Sequence, residues 1–125
     1  MTTAENENKV TLLVDLKKYR IRIHKSTLHL LGDPEYIQLL VNPSDMLVAI
    51  QSQEKPGNQT CKINWDKLSS SDNSYELYSR LLTLRLCDAF GCMREGRCYR
   101  LIGSVLPANK VAYFPIKEMQ PLDGD

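Results

Sequence analysis

The chain has 125 residues, 42% of them hydrophobic and 25% charged, and its 16 Lys and Arg against 15 Asp and Glu leave a formal net charge of +1. This composition suits one globular domain large enough to bury a core without disulfides or metal. It excludes a strong global field that would draw in nucleic acid or membrane, so any basic surface has to be local.

No stretch approaches the roughly 18 apolar residues of a membrane span. Residues 1–9 are polar and acidic, unlike a signal or transit peptide, and are expected to be a disordered lead to a cytoplasmic domain over 10–119. Residues 120–125 are expected to form a second polar tail.

Residues 10–16 are apolar and β-branched enough for a first strand, and Lys17-Lys18 then breaks the run. Residues 19–23, Tyr-Arg-Ile-Arg-Ile, alternate as a half-buried strand does. Tyr19, Ile21 and Ile23 are expected in the core, with Arg20, Arg22 and His24 on the opposite face. Ser26 is a candidate N-cap for a two-turn helix carrying Leu28, Leu30 and Leu31, which Gly32 and Pro34 bring to an end. Residues 36–41 and 46–50 predict a hairpin about the turn Asn42-Pro43-Ser44-Asp45. A polar loop follows over 51–59, with a short strand over 60–65.

Residues 66–73 are Ser- and Asp-rich and predict a connector. Beyond it, Tyr75, Tyr78, Leu81, Leu82 and Leu86 suit a helix face, whereas Leu82, Leu84 and Leu86 equally suit a strand. The favoured assignment is a short helix over 74–80 running into a strand over 81–86. That choice rests on an internal repeat, in which Tyr36 is set against Tyr99 and residues 47–50 fall on 110–113, with Pro43 one residue from Pro107. Ile21-Arg22-Ile23 then corresponds to Leu82-Thr83-Leu84. The expected fold is β-rich α+β, a compact barrel or sheet from two strand–short helix–hairpin halves (10–65 and 74–118). A half alone is too small to bury its apolar face.

Cys61, Cys87, Cys92 and Cys98 are read as free packing thiols or, alternatively, as part of a structural zinc site. The absence of a Cys-x2-Cys and the distance of His24 and His29 favour thiols and no metal. No Gly-x-Ser-x-Gly, His-Glu-x-x-His, P-loop or Gly-x-Gly-x-x-Gly occurs, so no catalytic residue and no cofactor is assigned.

The clearest charged feature is Lys17, Lys18, Arg20, Arg22 and Lys25, five fixed cations in nine residues with no acid among them. Such a row on an exposed strand suits phosphate contact, or it protects an edge strand from aggregation. A second cluster, Arg80, Arg85, Arg94, Arg97 and Arg100, is rich in arginine, whose planar fork matches phosphate. Arg85 is its best candidate contact.

Residues 19–32, Tyr-Arg-Ile-Arg-Ile-His-Lys-Ser-Thr-Leu-His-Leu-Leu-Gly, and the hairpin to Ile50 resemble the swapped-hairpin module of AbrB/SpoVT-type bacterial transcription regulators. The resemblance implies a basic strand, a short helix and a hairpin that pair into one barrel and contact DNA through arginines. Here the two halves would act as a fused pseudo-dimer. The second half departs from the pattern at Leu86-Cys87, which stands where the first half has Lys25-Ser26, and at Glu95-Gly96, which intrudes before the hairpin. The leading expectation is a non-enzymatic regulator binding DNA through Lys17, Lys18, Arg20, Arg22, Lys25 and Arg85. A protein-interaction module (an adaptor or inhibitor, monomeric or oligomeric) and a binder of nucleotide-like ligands are the alternatives.

Overall fold

A computed structural model describes residues 9–70 and 73–122 of the chain. Residues 1–8 of the expected lead and 123–125 of the expected tail lie outside the described residues. In chain order the elements are β1 (Lys9–Asp15), β2 (Arg20–His24), α1 (Lys25–Leu30), β3 (Tyr36–Asn42), β4 (Leu47–Gln53), β5 (Thr60–Lys62), α2 (Trp65–Ser70), β6 (Ser74–Tyr78), α3 (Arg80–Phe90), β7 (Cys98–Leu106) and β8 (Val111–Pro115). A 3-10 turn (Ile116–Glu118) and β9 (Gln120–Pro121) follow. The nine strands form one sheet in the order β5-β3-β4-β8-β7-β1-β2-β6, with β9 beside the start of β7. It is an open, strongly curled half-barrel, β-rich as the sequence pattern implies. β5 and β6 are its two ends.

Curling the sheet gives its alternating apolar residues a common interior. Val10, Leu12 and Val14 of β1 meet Ile21 and Ile23 of β2, Val48 and Ile50 of β4, Leu101 and Val105 of β7 and Phe114 of β8, all buried. Each such side chain withdrawn from water contributes about 1.5–3 kcal/mol. Residues between them on the same strands are mostly exposed or half-buried, the period-two pattern of a one-sided sheet.

The two hairpins, β3–β4 and β7–β8, turn in the same way. Met46 and Lys110 both take left-handed backbone, φ 53 and φ 54. Each donates its N–H to the oxygen of a proline three residues back, Pro43 and Pro107, at 3.2 Å. β4 and β8 then pair antiparallel at the centre of the sheet. The pairing is closed at both ends by backbone bonds, from Ser52 N–H to Lys110 O (3.0 Å) and from Ile116 N–H to Met46 O (2.9 Å).

Several sequence expectations need correction. Tyr19 is outside the core, half-exposed at φ 55 in the turn before β2. The cap of α1 is His24, whose ring Nδ1 accepts from Ser26 N–H at 3.2 Å. The expected connector over 66–73 contains α2, where the Asn64 side chain accepts from Lys67 N–H and Leu68 is buried. The assignments over 74–86 are reversed: residues 74–78 are a strand, and 81–86 lie within α3. Ser79 caps that helix by accepting from Leu82 N–H at 3.1 Å, and Gly91 ends it in left-handed backbone at φ 72. Helical spacing puts Thr83, Leu86 and Phe90 on its buried face, which outweighs the period-two run of leucines. Gln120–Pro121, placed in the polar tail, pairs with β7.

Gly103 allows β7 and β8 to approach closely. A Cβ there would lie 1.9 Å from the Tyr113 backbone oxygen and 2.7 Å from Phe114 Cδ2. Because the first of these is backbone, a side-chain shift cannot relieve it. Gly103→Ala is expected to lower stability by at least about 2 kcal/mol in urea denaturation; an unchanged midpoint would show that β8 can give way.

Candidate polyanion-binding surface

β1 ends in Asp15, a carboxylate almost fully removed from solvent. Its Oδ1 accepts the N–H groups of Lys17 (2.9 Å) and Lys18 (3.1 Å), folding the chain into an aspartate-stabilised turn over 16–19. Its Oδ2 accepts Arg20 Nε at 2.9 Å, and the Cys98 thiol donates to Oδ1 at 3.2 Å. Burial alone would push this carboxyl up. The bonds from Lys18 N–H, Cys98, Lys17 N–H and Arg20 together outweigh burial and hold it below its ordinary value.

The turn is stitched to two segments distant in sequence. Leu16 N–H donates to Arg97 O (2.8 Å), and Gly96 N–H donates to Leu16 O (3.0 Å). The Tyr19 hydroxyl bonds Glu95, and Ser79 N–H donates to Tyr19 O at 3.0 Å. The Arg80 guanidinium lies 5.1 Å from the centre of the Tyr19 ring. Arg94 N–H donates to the Tyr99 hydroxyl at 2.8 Å, fixing the start of the 94–97 loop. Lys17, Lys18, Arg80 and Arg94 are thereby exposed on one surface with half-buried Arg97. Glu95 is the only carboxylate exposed on these three segments, and it is held by Tyr19.

The six cations singled out in the sequence are dispersed by the fold. Lys17 and Lys18 belong to this surface. Arg20 bonds Asp15 and reaches Glu76 at 3.2 Å. Arg22 bonds the same Glu76 at 2.6 Å, directly across the β2–β6 ladder. The Tyr78 hydroxyl also donates to Glu76, at 3.0 Å. Burial works to raise the Glu76 carboxyl, but the Tyr78 and Arg22 hydrogen bonds and both arginine charges hold it low. Arg20 and Arg22 thus carry a carboxylate ladder rather than a bare basic row. Lys25 opens α1 at the opposite end of β2, where its N–H donates to Asn73 O at 2.8 Å. Arg85 lies on α3 and borders a separate groove.

Arg80, Arg94 and Arg97 stand in the sequence as part of a second-half cluster. Their partnership with Lys17 and Lys18 follows from the β1–β7 ladder for Arg94 and Arg97 and from the β2–β6 ladder for Arg80, which no local pattern announces. Elsewhere, His29 Nδ1 meets Asp33 Oδ1 at 2.6 Å on an exposed surface, its ring stacked on Trp65 at 5.6 Å. Among the described residues no three His, Cys, Asp or Glu side chains converge as a metal site would require. None of the four cysteines forms a disulfide, and no helix among the described residues is long and apolar enough to cross a membrane.

Asp15 and Glu76 both have folded-state values depressed below the unfolded ones. Their stabilisation is therefore fully present above the unfolded carboxylate range, about pH 4, and is lost as pH falls through the folded values. Thermal unfolding followed from pH 7 downward is expected to show a plateau and then a drop below about pH 4 that is shallower in Glu76→Gln. Asp15→Ala is expected to cost about 2–4 kcal/mol at pH 7, since it strips the turn of its acceptor. Equal denaturation midpoints for variant and parent would contradict that role.

Comparison with family models, with curated proteins and with solved structures finds no match for this chain.

Proposed function

We propose that this chain is a non-enzymatic, regulatory-type binding protein that contacts DNA through Lys17, Lys18, Arg80, Arg94 and Arg97. One observation carries the reading: backbone hydrogen bonds tie the 16–19 turn to the 94–97 loop, gathering cations from both ends of the chain onto one surface. Phosphate contact needs fixed cations at a surface, and a chain of net charge +1 can present them only by segregating its acids. Asp15 and Glu76 are engaged by Arg20 and Arg22, and Glu95 is held by Tyr19. Arg20 and Arg22, the leading contacts on sequence grounds, thus serve the fold here, and Lys25 and Arg85 lie apart from the contact surface.

The same reading takes the chain as two fused strand–short helix–hairpin halves, the arrangement implied by the resemblance to swapped-hairpin regulators. Register supports it. The last pair of the first hairpin, Asn42 with Leu47, corresponds to Leu106 with Val111, 42 to 106 and 47 to 111, 64 residues in each case. At that spacing Pro43 falls on Pro107 and Met46 on Lys110. The bond from Ser52 N–H to Lys110 O becomes the counterpart of that from Ile116 N–H to Met46 O. Tyr36 then falls on Arg100, one residue beyond the match drawn from the sequence. β6 with α3 takes the place that β2 with α1 has in the first half.

The test is a salt titration of binding to mixed-sequence duplex DNA by fluorescence anisotropy. Affinity is expected to fall linearly in log–log form with salt, by a slope of roughly −0.9 for each phosphate neutralised. The double variant Lys18→Glu, Arg94→Glu is expected to lose at least about tenfold in affinity at low salt and to flatten the slope. Its melting temperature should stay close to that of the parent. Absence of binding at low salt would remove DNA as the partner, and unaltered binding by the double variant would move the site elsewhere.

A further inference from the structure

The half-barrel is unfinished along one seam. β5 pairs with β3 only over Tyr36–Gln38. Beyond Gln38 the outer edge of β3 has no partner strand among the described residues. A groove of about 490 Å³ lies along that edge, walled by Leu39 and Leu40 of β3, Leu77 of β6, and Leu81, Leu82 and Arg85 of α3. Leu81 is 72% exposed and Leu40 38% exposed, and both line the same groove. Arg85 forms no ion pair among the described residues.

The other side of the sheet supplies a template for what fits such an edge. This step rests on the two-halves reading, which enters only through the choice of template; the groove and its lining stand without it. At the spacing of 64, β7 is the counterpart of β3, with Gly103 and Ser104 matching Leu39 and Leu40. β1 covers β7 as β5 covers β3, and Val10 and Lys9 of β1 pair with Gly103 and Ser104. Leu39 and Leu40 lack the corresponding partners because the chain leaves the sheet ahead of β5. Gln59 takes left-handed backbone at φ 64, and Gly57 N–H is held by the Thr60 hydroxyl at 2.9 Å. β1 also continues onto β2, whereas β5 and β6 end the sheet.

We infer that this groove receives an extended segment of another protein. The segment adds antiparallel to the free edge of β3, with alternate apolar side chains on Leu77 and Leu82 and a carboxylate against Arg85. Strand addition takes its affinity from the unpaired main-chain groups and its selectivity from the groove wall. A second copy docked by the same surface about a two-fold axis would present the same groove lining, which holds no carboxylate to meet Arg85. Residues 1–8 of this chain, Met-Thr-Thr-Ala-Glu-Asn-Glu-Asn, hold no run of alternating large apolar residues and do not meet the requirement.

The probe is a capped synthetic peptide of alternating valine and threonine with one central glutamate, titrated into the full chain by amide NMR. Shifts are expected at Leu39, Leu40, Leu81 and Arg85. Leu81→Asp, at an exposed position, is expected to keep the fold and weaken binding at least about tenfold. Arg85→Glu is expected to reverse the preference toward the same peptide with lysine in place of glutamate, and a central proline is expected to abolish binding. Lys18→Glu with Arg94→Glu should leave peptide binding unchanged, so failure of the DNA reading and failure of this one are read separately. No shifts at millimolar peptide, shifts confined to another face, or indifference to both groove variants would overturn the inference. So would sedimentation of a dimer that Leu81→Asp converts to monomer, which gives the groove to a second copy.

Discussion

The buried carboxylate of Asp15 is the constraint on which the basic end of the half-barrel depends. Taking an ion of this size out of water costs several kcal/mol unless donors replace its hydration. Four donors do so here: two backbone N–H groups of the following turn, the Arg20 guanidinium and the Cys98 thiol. Each also fixes a neighbour. The N–H groups set the path of Lys17 and Lys18, Arg20 starts β2, and Cys98 starts β7. The backbone that carries the two lysines is consequently held by hydrogen bonds at Lys17 and Lys18 themselves, and preorganised backbone lowers the ordering cost that any ligand contacting them would face.

The remaining charges are arranged around that platform. Glu76 lies opposite Arg22 and also reaches Arg20, so two arginines of the most basic strand act as counterions inside the sheet. Acids and bases that nearly cancel over the whole chain are thus unequally exposed among the described residues, where the turn, the 94–97 loop and the first turn of α3 carry more exposed bases than acids. The seam is built on a different logic. There an early departure of the chain at Gln59 and a short β5 leave apolar side chains and strand edge together, with Arg85 as the charged member.

Local patterns made much of the sheet legible. Alternation of Val10, Leu12 and Val14, and of Ile21 and Ile23, is a property of each strand alone, and Pro43 and Pro107 mark turns by their own geometry. The region after Asn64 was less legible because two local rules compete there. Leu82, Leu84 and Leu86 alternate, yet Leu82, Leu86 and Phe90 also recur at helical spacing between a serine and a glycine suited to cap a helix. The likeness of Leu82–Leu84 to Ile21–Ile23 favours a strand there, whereas the residues form the start of α3. Ser79 and Gly91 carried the correct signal, since capping satisfies end groups that a strand would not leave open. Tyr75 and Leu77 become strand through pairing with β2, which supplies the partner that their short segment lacks.

By itself, the sequence determined the β-rich class, the two proline-turn hairpins, the short helix after β2 and the absence of a strong global charge, because each depends on residues a few positions apart. Tertiary structure decided which cations act together. Arg22 met Glu76, 54 residues away, and Leu16 met Gly96 and Arg97, through strand pairings whose partners no local periodicity specifies. A strand pattern dictates which face is buried, whereas the neighbour across the ladder is chosen by the packing of the whole sheet.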